Sequence, residues 1–140
     1  MPQSVTWARP TGCPGYSETL PCEPKSAAAA RRLVRAALAA WGMEDLADDG
    51  VLVVSELVSN AVRHARSHAI RVTVTRPGPT RVRIGVVDKS ARTPVVREPG
   101  DEDEGGRGLA LVGALAEDWG TDTLPWGKRV WAQLRGQDHG

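Results

Sequence analysis

The sequence contains no phenylalanine, which limits the kind of core that the chain can build. Among its 140 residues, one is tyrosine and five are tryptophan. Valine, leucine and alanine therefore have to fill the interior. A chain of this length folds as one domain of common size and buries a core without covalent cross-links. We expect a single aliphatic core.

Cysteine is also scarce. Cys13 and Cys22 are the only two, too few and wrongly spaced for a structural zinc site. In a reducing compartment we expect two free thiols, with a disulfide across the N-terminal segment as the alternative.

The chain lacks both a dominant charge and a long apolar run. Its formal net charge is +1, so there is no electrostatic footprint for nucleic acid or an anionic membrane surface. No stretch approaches the length of a membrane-spanning helix, and the first residues lack an apolar signal region. We expect a cytoplasmic protein that binds neither nucleic acid nor membrane.

Proline and glycine mark the limits of the expected domain. Residues 1–15 hold three prolines and two glycines and predict a flexible leader. The folded domain is expected over residues 16–135, followed by a tail over 136–140. Residues 16–22 predict a short edge strand, because a proline at position 21 excludes a central place in a sheet.

The chain predicts three helices and three further strands. The first helix runs from Ser26 as N-cap to Gly42 as the C′ residue, the second from residue 45 or 48 to 66, and the third over 109–119. Residues 69–75 and 81–88 alternate in polarity and form a hairpin with its turn at 77–79. A last strand covers 128–134. These elements indicate an α+β, two-layer α/β sandwich with a mixed, mostly antiparallel sheet and helices on one face.

The second helix carries the first candidate site. At about 100° per residue, Glu56, Asn60 and Arg63 fall in one narrow sector, opposite an apolar stripe with only Leu52 and Val53 out of place. An Asn oxygen can ligate a hard cation, and a Glu one turn earlier can orient or deprotonate a hydroxyl. A polar face with Glu and Asn is also ordinary on a solvated helix, and spacing alone favours that interpretation.

Two further segments fit a phosphate-binding cleft. Residues 105–108 read Gly-Gly-Arg-Gly before a helix, where backbone N–H groups can surround an anion. A flexible glycine joint is the alternative. Asp88 closes an apolar strand and can face a cleft, or it can form an Asx turn. Between them, residues 89–106 lack periodicity, which is typical of a functional or disordered loop.

The order of these segments resembles the GHKL ATPase superfamily, which includes gyrase, the ATPase domains of histidine kinases and MutL. SELVSNAVRHA is similar to its N box, VVDKS to its first glycine box and GGRGLALV to its second. The compact size, the leading helix and the WGKRVWAQL ending are most similar to the anti-sigma-factor serine kinases. The resemblance covers about residues 16–135 and implies the Bergerat-type ATP-binding fold.

The resemblance also implies roles for individual residues. Asn60 would ligate the Mg²⁺ that bridges the ATP phosphates, Glu56 would be the general base for a partner's serine hydroxyl, and Asp88 would accept a hydrogen bond from the adenine amino group. Residues 89–105 would form the ATP lid. The nucleotide-binding glycine segment would consist of Gly106, Arg107, Gly108 and Leu109.

Two departures from the family pattern leave the activity open. The family's first glycine box usually reads DxGxG, whereas here both glycines are replaced over residues 88–92. A threonine that often helps to hold adenine near the C-terminal strand is replaced by Arg129. One hypothesis is therefore a protein-serine kinase that phosphorylates an anti-sigma-factor antagonist and binds a sigma factor. The alternative is a catalytically weak or inactive, nucleotide-gated protein-binding module. The family's homodimer is a further expectation, with the helix at 26–41 as candidate contact surface.

Overall fold

The computed structural model describes residues 15–64, 67–88 and 110–136. Residues 110–115 are helical. The other elements, in chain order, are β1 (Gly15–Pro21), α1 (Ser26–Ala40), a 3₁₀ turn (Glu44–Leu46), α2 (Ala47–His64), β2 (Ala69–Gly78), β3 (Arg81–Asp88), β4 (Asp118–Leu124) and β5 (Gly127–Arg135).

The five strands form one open sheet in the order β1-β2-β3-β5-β4. Each of the four pairings is antiparallel. The edge strand expected at 16–22 is confirmed, since among the described strands β1 pairs with β2 alone, through Pro21 opposite Ala69 at its end. The hairpin of β2 and β3 is also confirmed, although β2 extends to Gly78 after a register irregularity, so the turn lies later than expected.

Two helices cover one face of the sheet. α1 contacts β1 and β2, α2 contacts β3 and β5, and the helices pack on each other. Alternate strand residues point into this interface and are almost fully buried, as period-two burial requires. They include Ile70, Val72, Val74, Val82, Ile84, Val130, Ala132 and Leu134. The α+β sandwich with helices on one face is therefore confirmed.

The first helix ends as expected but begins differently. Gly42 has φ +69°, its N–H donates to Ala39, and the Met43 N–H donates to Leu38, which together form a Schellman motif. Ser26 is the first helical residue, and Lys25 occupies the N-cap position without a side-chain cap. The prediction of Ser26 as N-cap is wrong because its hydroxyl donates back to the Pro21 carbonyl at 2.6 Å.

The predicted third helix is too long. The helical residues end at 115, and the prediction through residue 119 is wrong because Asp118–Leu124 forms β4. Gly120 lies opposite Trp131 in this pair, and a Cβ at Gly120 would be 3.1 Å from the Trp131 ring. The missing side chain lets the indole lie against the strand. An exposed edge strand has no strong alternation of polarity, so this signal was weak.

The face of the sheet away from the helices is polar. Arg83 lies over the Trp131 ring at 4.2 Å from its centroid and donates to Gln133 at 3.0 Å. Arg71, Thr73, Arg81 and Arg83 are half-buried there, as is common for an antiparallel sheet with one polar face. In the described ranges, no helix is both long and apolar enough to cross a membrane.

Candidate functional site

Asn60 lies deeper in the protein than its place in a polar sector suggests. Its side chain is 6 % exposed, while Leu52 is 47 % exposed and Val53 is fully buried. Residues seven apart nearly align on a helix, so Asn60 follows Val53 on the same flank of α2. That flank is covered because α2 packs against α1 on one side and against β3 and β5 on the other. The solvated-face interpretation is therefore wrong for Asn60.

The neighbouring polar residues of α2 are more accessible. Glu56, one turn before Asn60, is half-buried, and Arg63 is exposed. The Asn60 carboxamide nitrogen and oxygen are not among the described side-chain atoms that are buried without a hydrogen-bond partner. A carboxamide oxygen one turn from a carboxylate can ligate a hard cation.

Asp88 closes β3 on the same side of the sheet as the helices. It is 4 % exposed and follows Val82, Ile84 and Val86 at alternate positions of the strand. The Ser67 hydroxyl donates to Asp88 Oδ1 at 2.9 Å and lies 2.8 Å from the Ala69 carbonyl oxygen. Ser67 comes just before β2, so its position next to Asp88 follows from the pairing of Ile70 with Asp88. The Asx-turn alternative involves residues 89 and 90, outside the described ranges.

Cys22 connects Asp88 with α2. The Cys22 backbone N–H donates to His68 at 2.8 Å, and its thiol lies 3.8 Å from the Ala61 carbonyl oxygen. Burial raises the pKa of this thiol, and the Asp88 carboxylate raises it further. Cys22 is a free thiol, as expected, whereas Cys13 lies outside the described residues. Asp88 and the turn of α2 that carries Asn60 therefore meet at the end of β1.

This arrangement agrees with the comparison with known families. A model of the histidine kinase-like ATPase domain matches residues 20–134. The chain belongs to this family. No curated protein matches the chain. The GHKL superfamily is thus shown, and ATP binding is the activity that membership in this ATPase family implies.

Arg129 and Lys128 lie on opposite faces of β5. In this ATPase domain, Arg129 pairs with Val87 and bonds to Asp122 at 2.7 Å, on the face away from the helices. Lys128 is the register partner of Asp88. Because strand neighbours point to opposite faces, Lys128 lies on the face of Asp88 and the helices, and Arg129 lies on the other face.

The glycine segment cannot be placed relative to these residues. Residues 89–109 lie outside the described ranges, including Gly106, Arg107, Gly108 and Leu109 and the lid expected over 89–105. Residues 110–115 directly after the segment are helical, and Val112 is fully buried in the core. The roles assigned to the glycine segment remain predictions.

The donor set fits a magnesium ion that is shared with phosphates. Mg²⁺ in nucleotide sites is held by one or two protein oxygens and takes its other ligands from phosphates and water. The Asn60 carboxamide oxygen can provide one such ligand. In the part of the chain that the structure describes, no group of three or more His, Cys, Asp or Glu side chains is arranged to hold a metal ion.

Two contributors to the site were missed by sequence reasoning. Ser67 and Cys22 lie in short connections, and neither belongs to a recognisable motif. Their involvement depends on which strand ends are neighbours, and local periodicity carries no information about that. Because β1 pairs with β2, Cys22 directly after β1 lies beside the connection that contains Ser67.

Proposed function

We propose that this chain is an ATP-dependent protein-serine kinase of the anti-sigma-factor type. Its substrate would be a serine of an anti-sigma-factor antagonist, and its second partner a sigma factor. The observation that carries the proposal is the position of Glu56 one turn before the buried Asn60. Asn60 is held inside the domain, whereas the half-buried Glu56 retains contact with solvent, where a partner's hydroxyl can approach.

The chemistry assigns one task to each side chain. Glu56 accepts the proton of the serine hydroxyl while the serine oxygen forms a bond to the γ-phosphorus. The bond between the γ-phosphorus and the β–γ bridging oxygen breaks, and ADP leaves. Asp88 accepts a hydrogen bond from the adenine amino group and thereby positions the nucleotide. Asn60 would hold Mg²⁺, which when bound neutralises charge on the phosphates.

A second function uses the same nucleotide site without phosphotransfer. The altered first glycine box favours it, since both family glycines after Asp88 are replaced. In that case ATP would only order the nucleotide-binding segments and a protein-binding face. The two functions differ in whether Glu56 has a chemical role.

Helix α1 is the proposed contact surface for a homodimer or another protein. Arg32 and Arg35 are exposed on it. Arg31, on the same helix, is half-buried and donates to the Ser55 hydroxyl of α2 at 3.2 Å. The free cationic surface of α1 is therefore smaller than the sequence suggests, and Arg32 and Arg35 are the side chains to test against acidic partners.

Substitution of Glu56 separates the two functions. We expect Glu56→Gln to keep the ATP affinity of the wild type and to abolish phosphate transfer to the serine of an antagonist protein encoded near its gene. Glu44→Gln is the matched control, because Glu44 is exposed and outside the site. The measurement is transfer of labelled γ-phosphate together with calorimetric ATP binding. Wild-type protein that binds ATP but never labels the antagonist would establish the binding-module function instead.

A further inference from the structure

The hydrogen bond between Ser67 and Asp88 is the closest described contact of the Asp88 side chain. The Ser67 hydroxyl has one proton and two acceptors within reach, the Asp88 carboxylate at 2.9 Å and the Ala69 carbonyl at 2.8 Å. It can donate to only one of them at a time. An ionised carboxylate is the stronger acceptor. The proton is therefore directed mainly to Asp88 Oδ1.

Two further groups lie near the Asp88 carboxylate. The Cys22 thiol is directed at the Ala61 carbonyl, and Lys128 is the register partner of Asp88 on β5. The Ser67 hydroxyl donates to Oδ1. A carboxylate torsion is broad and roughly two-fold when nothing holds it. A strong hydrogen bond to one oxygen therefore favours one direction for the other.

We propose that Ser67 is a positioning residue for Asp88 and thereby sets how strongly the domain selects the adenine base. Ser67 anchors Oδ1, so that Oδ2 is presented to the exocyclic amine of the base. This proposal rests on the proposed role of Asp88 in ATP binding. It adds a residue from the connection between α2 and β2, where no family motif lies.

Two nucleotides, one whose base carries an amine and one whose base does not, distinguish a positioning role of Ser67 from a general structural role. ATP offers the 6-amino group to Asp88, whereas purine riboside triphosphate lacks it. Without Ser67, the carboxylate loses its orientation, and only the ligand with the amine should be affected. A site built to bond a donor rejects an analogue that lacks it, because its buried acceptor is then left unpaired.

The experiment compares both nucleotides by calorimetry on the full chain. We expect Ser67→Ala to weaken ATP binding by about tenfold, the lower end of the loss expected for a hydrogen bond to a charged group. Binding of purine riboside triphosphate should stay within about twofold of the wild type. Ser67→Thr, which keeps the hydroxyl, should restore ATP affinity. Ser26→Ala is the matched control, since its buried hydroxyl also bonds a backbone carbonyl, at 2.6 Å, outside the site.

The outcomes distinguish this proposal from the proposed function. Unchanged ATP affinity in Ser67→Ala, or equal weakening of both nucleotides, would overturn the positioning role while leaving ATP binding intact. Wild-type protein that binds neither nucleotide would overturn the proposed function and this proposal together. If Ser67→Ala does not fold, as judged by its thermal unfolding, Ser67→Cys provides a weak donor of similar size, and the same ATP-specific loss is expected.

Discussion

The Cys22 thiol lies 3.8 Å from the carbonyl oxygen of Ala61, the residue that follows Asn60. This contact joins the end of β1 to the turn of α2 that carries the candidate magnesium ligand. The same thiol is close enough to Asp88 for the carboxylate to raise its pKa, after the larger effect of burial. Cys22 is therefore a native probe that lies between Asp88 and the turn of α2 that carries Asn60.

Alkylation of Cys22 should require a higher pH than alkylation of an ordinary thiol. In a Cys13→Ser background, we expect the rate of reaction with iodoacetamide to rise with a midpoint above about 8.5, the usual thiol value. Asp88→Asn removes the negative charge and should lower that midpoint. Because the folded state holds the proton more tightly, the thiol's contribution to stability is complete below the unfolded pKa and is lost as pH rises through the folded one. A midpoint at or below about 8.5 would contradict the described surroundings of Cys22.

Asn60→Ala should weaken Mg-ATP binding by at least about tenfold, comparable to losses seen when a metal's environment is disturbed. Binding of ATP in the presence of a chelator should change much less, because the carboxamide is assigned to the ion. Calorimetry with and without Mg²⁺ makes the comparison. Ser59→Ala is a suitable control, since Ser59 is the exposed neighbour on the same helix.

A purely structural role for Asn60 gives a different result. If the carboxamide served only to stabilise the fold, Asn60→Ala would lower the free energy of unfolding and would leave the Mg²⁺ dependence of ATP binding unchanged. The expected result is the reverse, because the carboxamide oxygen is assigned to the ion.

Gly50 lies where α2 packs against α1. A Cβ at this position would lie 3.0 Å from Val34 Cγ1 and 3.4 Å from Leu38 Cδ1. Alanine gains about 1 kcal/mol of helix propensity over glycine, but overpacking against a rigid core costs about 1–3 kcal/mol. We expect Gly50→Ala to lower the free energy of unfolding in urea by about 1 kcal/mol. In a Val34→Ala background the same change should become stabilising, and loss of stability in both backgrounds would contradict this packing.

A substitution at Gly42 tests whether the end of α1 requires a left-handed backbone conformation. Its φ is +69°, and a Cβ there would meet no heavy atom within 4 Å. Gly42→Ala should therefore destabilise the domain by about 1–2 kcal/mol, the cost of a left-handed conformation for an L-residue. Gly78→Ala is the matched control, since a Cβ at Gly78 also meets nothing within 4 Å and its φ is not positive. Equal effects of the two substitutions on thermal unfolding would exclude this explanation.

Sequence patterns predicted those elements whose signals are local. The alternation of β3 and the glycine at the end of α1 depend on neighbouring residues, and both were read correctly. β4 was missed because it is an edge strand without buried residues. Its first two residues are both exposed, and exposed and half-buried residues alternate after them. Its strand character depends on pairing with β5, which no local pattern reveals.

In the candidate site, too, the sequence predicts features with local signals and misses those that depend on tertiary packing. Asn60 and Asp88 were candidates from their positions on a helix and at a strand end, and the resemblance assigned their roles. A helical projection placed Asn60 in a polar sector, whereas contacts with α1 and the sheet bury it. Ser67 reaches Asp88 only through the pairing of β2 with β3. The depth of a residue and its partners in a site depend on tertiary packing, so the sequence predicts them least well.

Calorimetric titration of the full chain with Mg-ATP and Mg-ADP tests the central claim most directly. We predict saturable binding of one nucleotide per chain, which Asp88→Asn weakens for ATP. Absence of any saturable binding of either nucleotide up to about 1 mM, the upper end of common enzyme affinities, would contradict the assignment of Asn60 and Asp88 to a nucleotide site.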